Sequence, residues 1–276
     1  MDIYGKITNF YESVNTEKRI IGKSFFGRNI YAIKIGDGNP TGLAQYAMHA
    51  REWITAELAL FHYTRGLEKG LGSFWLIPLT NPDGALLCQK GLDSVQNETQ
   101  KEFLREINGS ENFALWKANG RGVDLNVNFD ACWGKGKHNT KSTGSENYIG
   151  ERPFSETETQ ALKAFTLAIK PNYTISFHTK GEEIYWYFYQ PMCDCARDKA
   201  LALALAKSTG YPLSYAKGSA GGYKDWCVQK LKIPSFTVEV GADELAHPIG
   251  EEHLEDIILR NANALSDLAK EYKRLQ

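Results

Sequence analysis

Two histidines and two glutamates stand in apolar surroundings, where ionisable side chains are costly. "AMHAREW" follows a strand-like run and precedes a helical one, and it holds His49 and Glu52 three residues apart. "ISFHT" puts His178 at the end of a second strand, and "FTVEV" sets Glu239 inside a third. Two histidines and one carboxylate, with a fourth position open, are the donor set of a catalytic zinc. Such a metal polarises a carbonyl and activates water, and a further carboxylate is then needed as general base. Singly, these residues have plainer readings. His49 alone is a core histidine bonded to backbone, and Glu52 alone is an acid favoured by a helix N-terminus. Glu239 has no such easy reading, because a glutamate inside a buried strand is costly unless paired.

A second unusual stretch is "GVDLNVNF", residues 122–129, which packs Asp124, Asn126 and Asn128 into an otherwise apolar strand-like run around an uncharged Val127. Further polar residues of interest lie in "WKANGRGVDLN", with Lys117 and Arg121, and in "GSAGGYKDWCVQ", with Tyr223 and Lys224.

These residues need elements to position them. "RNIYAIKIG", "LAQYAMHA", "SFWLIPLT", "YTISFHT", "IYWYFY" and "SFTVEVG" read as strands. Between them, "WITAELALFHYTRGLEK", "SETETQALKAFTLAIK" and "CARDKALALALAKSTG" read as helices, the second opening on a capping box of Ser155 and Glu158. "EEHLEDIILRNANALSDLAKEYKRL" reads as one long amphipathic helix, and residues 1–18 as a short helix leading in. Alternating strands and helices predict an α/β fold whose largely parallel or mixed sheet is covered on both faces. In such sheets ligands gather at strand ends, which is where the unusual polar residues fall. No repeat or linker interrupts the 276 residues, so a single domain over 1–276 is expected.

Bulk properties exclude several classes. A net charge of −1 offers no electrostatic footprint for nucleic acid or an anionic membrane surface. No apolar run approaches the roughly 20 residues that span a bilayer. The first residues have no basic segment followed by an apolar one, so no signal peptide is read and a cytoplasmic location is expected. Five cysteines, odd in number and irregular in spacing, predict free thiols rather than a disulfide framework.

Taken in order, "HAREWITAE", "NPDG", "GVDLNVNF", "PFSETET", "SFHT" and "FTVEVG" resemble the motifs of the zinc carboxypeptidase family. The resemblance runs from about residue 20 to the C-terminus. It implies a single α/β/α domain with a mixed, mostly parallel eight-stranded sheet. It implies one Zn2+ per chain on His49, Glu52 and His178, with Glu239 as the base that takes a proton from water. It implies that Asp124 orients His49 and that Asn126 contacts the substrate. For the cation that stabilises the oxyanion it leaves Arg121 as first candidate and Lys117 as second. For the tyrosine that caps the substrate it leaves Tyr223 ahead of Tyr215.

Two departures narrow the resemblance. Val127 stands where digestive members carry an arginine that clamps the substrate's α-carboxylate. Lys224 falls in the pocket for the residue after the scissile bond, which suggests a leaving residue with an anion in its side chain. With "SFHTKGEEIYW" and "SAGGYKDW", these features are similar to the branch that cuts the γ-D-glutamyl–meso-diaminopimelate bond of peptidoglycan stem peptides. The alternatives are a metallocarboxypeptidase removing acidic C-terminal residues and a non-catalytic muropeptide-binding protein. The aromatic run 185–189 is expected as strand core, and His62, His138, His247 and His253 as surface or helix residues without a role in the site.

Overall fold

The apolar runs that carry the chemistry form the middle of one sheet. In the computed structural model, which describes residues 1–276, the strands are β1 (Lys18–Lys23), β2 (Asn29–Gly36), β3 (Thr41–Tyr46), β4 (Ser73–Ile77), β5 (Tyr173–Thr179), β6 (Glu183–Tyr185), β7 (Leu213–Ser214) and β8 (Ser235–Val240). They lie in the order β1-β2-β4-β3-β5-β8-β6-β7. The central four, β4, β3, β5 and β8, run parallel, while β2 and β6 join them antiparallel. The result is the expected α/β fold with an eight-stranded mixed sheet.

Helices cover both faces, which is why the central strands read as continuous apolar runs rather than alternating ones. They are α1 (Ile3–Ser13), α2 (Ile54–Arg65), α3 (Pro82–Lys90), α4 (Glu98–Asn108), α5 (Thr157–Ile169), α6 (Met192–Thr209), α7 (Tyr223–Trp226), α8 (Leu254–Asn261) and α9 (Ala264–Arg274). Phe74, Leu76, Ile175, Phe177 and Val238 pack on one side against Leu58 of α2, Leu201 of α6 and Leu268 of α9. Leu43, Trp75 and Ile77 face the other side, against Leu162 and Phe165 of α5 and Trp226 of α7. No helix is long and apolar enough to cross a membrane, and all five cysteines are free thiols.

Several local expectations need correction. "GVDLNVNF" is not a strand: Asp124 caps a single turn, Leu125–Val127, by accepting a bond from the Asn126 N–H at 3.0 Å. The capping box at Ser155 does not form. Glu156 is the N-cap residue, Ser155 Oγ bonds its carboxylate instead, and Glu158 is buried against Asn119 and the Phe25 N–H. Of the aromatic run only Tyr185 lies in a strand, and Tyr189 is 68% exposed. The C-terminal helix is two helices, α8 and α9, broken just after Asn261.

His62 is not a surface residue: it is buried on α2. Its Nε2 donates to the Asn261 carbonyl at 3.0 Å, so its Nδ1 must accept from the Tyr46 hydroxyl at 2.7 Å. That carbonyl belongs to the last residue of α8, and the bond ties α2, the end of β3 and the C-terminal helices together. Burial depresses the His62 pKa from 6.5 to about 4. The unfolded chain therefore binds a proton between those values that the folded chain rejects, and stability falls as pH drops from 6.5 towards 4. The drop amounts to about 3 kcal/mol for this one group. Urea titrations at pH 7 and pH 4.5 should show a smaller loss in His62→Gln than in the wild type.

Candidate metal and peptide-binding site

The site is built on the carboxyl ends of β3, β5 and β8. In the parallel β5–β8 register His178 sits beside Glu239. Tyr46 and Phe177 are register partners on β3 and β5, with rings stacked at a centroid distance of 4.9 Å. This stacked pair lies just inside the polar edge, one residue before His178 on β5 and at the last residue of β3. After β3 the chain turns sharply through Ala47, which has a positive φ of 47°, and reaches His49. The turn is held by the Thr55 hydroxyl, which accepts from the Ala47 N–H at 2.8 Å.

"NPDG" braces this turn from behind. Asn81 caps α3 by accepting from the Gly84 N–H, and its amide donates to the carbonyls of Met48 and Ala118, both at 3.1 Å. It thus ties together the segments that carry His49 and Lys117. Gly84 is required there, because a Cβ would lie 2.4 Å from the Ala118 oxygen.

At the edge, His49 Nδ1 lies 2.7 Å from Glu52 Oε1, and His178 Nδ1 lies 2.8 Å from Glu52 Oε2 and 3.1 Å from His49 Nδ1. All three side chains are buried. Two imidazole nitrogens turned towards each other and towards one carboxylate is a poor arrangement without a cation between them. A tetrahedral zinc with bonds of ~2.0–2.1 Å sets its ligand atoms roughly 3.3 Å apart, close to these separations. The donor set fits zinc, and no other cluster of three such residues meets this closely in the chain. Burial alone would raise the Glu52 pKa, but His49 and His178 hold it well below the usual carboxylate range.

Asp124 backs the cluster. Its Oδ1 is 3.2 Å from His49 Nε2, off the hydrogen-bond axis but with no rival partner, and its Oδ2 is 2.8 Å from the Lys117 ammonium. Against the penalty of burial, Lys117 and His49 keep Asp124 ionised. An ionised acid at Nε2 holds the imidazole proton on that nitrogen and leaves Nδ1 free for a metal.

The two candidate oxyanion cations separate clearly. Lys117 lines a cavity of about 230 Å³ together with His49, Asp124, Asn126 and Val127. Arg121 is elsewhere: its guanidinium is 40% exposed, stacks over Phe25 and faces Glu151 and Glu156 at 3.8 Å. The preference for Arg121 is therefore corrected in favour of Lys117: Arg121 sits on the turn Asn119–Gly122, closed by the Gly122 N–H to the Asn119 carbonyl at 3.2 Å, and that turn carries it away from the cavity that Lys117 lines.

A cavity of about 450 Å³ adjoins the cluster and is lined by Asn126, Tyr185, Tyr215, Lys224 and Glu239 among others. Burial pushes the Glu239 carboxyl up to about 8, against the pull of His178 and with a further push from Glu52. Lys224 is only 5% exposed. Its ammonium donates to Asp225 Oδ1 at 2.5 Å and to the Tyr187 carbonyl at 3.2 Å, so it is not a solvated lysine at a helix start. Asn126 Oδ1 accepts from the Tyr223 N–H at 3.1 Å, which joins the turn at Asp124 to α7. Gly221, at a φ of +88°, allows that approach, since a Cβ would meet the Val127 carbonyl at 2.8 Å.

Tyr223 contributes only its backbone. Its ring is fully buried and its hydroxyl bonds Thr166 at 2.9 Å, so it cannot cap a substrate. Tyr215, 56% exposed, lines the cavity instead. Tyr185 also lines it and was not anticipated; the signal was in the strand pairing, which sets Tyr185 opposite Thr237, two residues from Glu239. His138 lines the smaller cavity, also against expectation. Asn128 is structural: its amide bonds Ile149, Arg152 and Ser155, and its carbonyl accepts from Thr159.

An α/β sheet with a His-Glu-His cluster at the carboxyl ends of its parallel strands defines a metallohydrolase-like site. The zinc carboxypeptidase profile matches residues 8–264, and the chain belongs to that family, with Zn2+ as its metal. It is 34% identical over 249 residues to a γ-D-glutamyl-L-diamino acid endopeptidase of Lysinibacillus sphaericus, an alignment covering 84% of this chain and 62% of that protein. The chain thus spans somewhat under two thirds of that relative's length. Its fold matches bovine thrombin-activatable fibrinolysis inhibitor, with a TM-score of 0.76 at 21% identity, covering 100% of this chain and 98% of that one. It also matches a murein-tripeptide amidase of Escherichia coli O157, with a TM-score of 0.62 at 24% identity and 95% of each chain covered.

If Asp124 sets the basicity of His49, Asp124→Asn should weaken zinc binding by roughly 10–100-fold. Competition with a chelator reads this directly, and unchanged far-UV circular dichroism would show that the fold is retained.

Proposed function

We propose that the chain is a metallopeptidase that hydrolyses the amide between the side-chain carboxyl of D-glutamate and meso-diaminopimelate in peptidoglycan-derived peptides. The observation that carries this reading is Lys224, a buried cation lining the same cavity as Glu239. A leaving residue seated there is selected for a carboxylate on its side chain, and diaminopimelate has one. The resemblance to an endopeptidase named for γ-D-glutamyl-L-diamino acid bonds supports the same substrate class.

His49, Glu52 and His178 would hold the zinc ion, which when bound supplies a Lewis acid that polarises both the scissile carbonyl and the attacking water. Glu239, in its ionised form, takes a proton from that water as the C–O bond forms. Lys117 faces the oxygen on which negative charge develops, and its own charge is kept in place by Asp124. Glu239 then returns the proton to the leaving amine as the C–N bond breaks. Asn126 orients the leaving residue through the amide nitrogen that makes no bond within the chain.

A pocket with a buried lysine also suits an acidic residue at an ordinary C-terminus. Val127 offers neither substrate a charge-assisted grip on an α-carboxylate, and the 34% identity to the γ-D-glutamyl-L-diamino acid endopeptidase favours the γ-linked one. The two are separated by comparing L-Ala-γ-D-Glu-meso-diaminopimelate with an α-linked peptide ending in glutamate. The γ-linked substrate should be cleaved faster, and the reverse order would discard the proposal. Lys224→Met should lower kcat/KM on the diaminopimelate substrate at least about tenfold more than on its lysine analogue, the scale of one charge-assisted hydrogen bond. Glu239→Gln should reduce kcat by roughly 10²–10⁴-fold while zinc content stays at one per chain.

A further inference from the structure

The cavity that holds Lys224 and Glu239 and the cavity that holds His49 and Val127 meet at Asn126, which lines both. Three lysines border these two cavities, Lys117, Lys217 and Lys224, together with His138 and the cluster's own His49. Lys117 is committed to Asp124 at 2.8 Å and Lys224 to Asp225 at 2.5 Å. Lys217 differs. It stands on the exposed loop 215–219, borders both cavities, and its ammonium enters no ion pair or hydrogen bond within the chain. It also borders a third, more apolar cavity of about 520 Å³ on the far side of the same loop. A lysine at the junction of the clefts around the cluster, with no internal counter-charge, is a cation waiting for an anion from outside.

The geometry defines which anion. A leaving residue with its side-chain carboxylate at Lys224 has its main chain at the junction beside Asn126 and Val127. Val127 brings no charge there, and Lys217, which like Asn126 lines both cavities, is the cation bordering that junction. We propose that Lys217 binds the main-chain carboxylate of the leaving residue, so that the site reads a dicarboxylate at two separate lysines. Lys224 reads the buried carboxylate and Lys217 the one at the mouth. The site then favours substrates in which the leaving diamino acid is the last residue, over those in which its main chain continues or is amidated. This inference rests on the proposed leaving-residue pocket, but not on the γ-linkage.

The test compares kcat/KM on paired peptides that differ only in a free or an amidated main-chain carboxylate on the leaving residue. Both a γ-D-glutamyl-linked and an α-linked pair are assayed with the zinc-loaded enzyme. In the wild type the free acid should be preferred roughly tenfold, the lower end for a charge-assisted hydrogen bond at a solvent-open position. Lys217→Ala should bring the ratio to about one by raising KM on the free acid alone, with kcat little changed. Lys217→Arg should retain the preference, and adding Val127→Arg to Lys217→Ala should restore it. A ratio that survives Lys217→Ala, or an equal loss on acid and amide, overturns the assignment. If only the α-linked pair is cleaved, the γ-glutamyl reading fails while the ratio on that pair still decides the role of Lys217.

Discussion

The structure depends on keeping several carboxylates charged, or ready to charge, at the edge of an apolar sheet. Glu52 and Glu239 lie beside the ends of β3 and β8, and Asp124 caps the turn that faces them; Glu52 and Asp124 are buried and Glu239 is half-buried. Burial of an unpaired carboxylate is costly, and each is handled differently. Glu52 is held by the two imidazoles that share its oxygens, and Asp124 by Lys117 and His49. Glu239 has only the charges of His178 and, more weakly, Lys117 to oppose the penalty, and its carboxyl stays far above the ordinary range. This inequality separates their tasks. Two carboxylates are fixed as anions that hold position, and one is left able to gain and lose a proton near neutral pH.

The same logic governs the substrate side. Lys224 is buried, and its charge is tolerated because Asp225 lies against it and the Phe188 ring lies 5.2 Å away. A buried ion pair of this kind contributes little net stability, but removing one partner leaves the other exposed to the full penalty. The pair lines a cavity wall beside Glu239. Under the proposed function an incoming carboxylate shares the lysine with Asp225, so recognition depends on hydrogen-bond geometry more than on net charge.

Much of this was legible in the sequence because it concerned residue types that fit badly where they stand. A glutamate in "FTVEV" and histidines after apolar runs announce themselves against a buried background, and the central strands followed from β-branched and aromatic composition. What stayed hidden depends on tertiary context. Arg121 and Lys117 are four residues apart, and the turn at Asn119–Gly122 between them decides which reaches the cleft. Tyr223 and Tyr215 look alike in sequence, yet one hydroxyl finds Thr166 in the core. "GVDLNVNF" has a strand's composition, but Asp124 satisfies the Asn126 N–H and closes a turn instead. β1 lies at the sheet edge with a half-exposed, basic pattern that gives no strand signal, and the helix break at Asn261 coincides with a bond to His62, 199 residues away in the chain.

The bond from the Tyr223 N–H to Asn126 Oδ1, with the bare Gly221 against the Val127 carbonyl, welds the loop bearing Lys217 and Lys224 to the turn beside the metal ligands. The two walls of the cleft therefore cannot drift apart independently. Insertions or deletions between residues 215 and 226 would displace the turn at 125–127 and, through Asp124, the orientation of His49. Side-chain exchange at a constant backbone is the route left open for a new specificity. The loop's length is thus a mechanical constraint, while its side chains are free to vary.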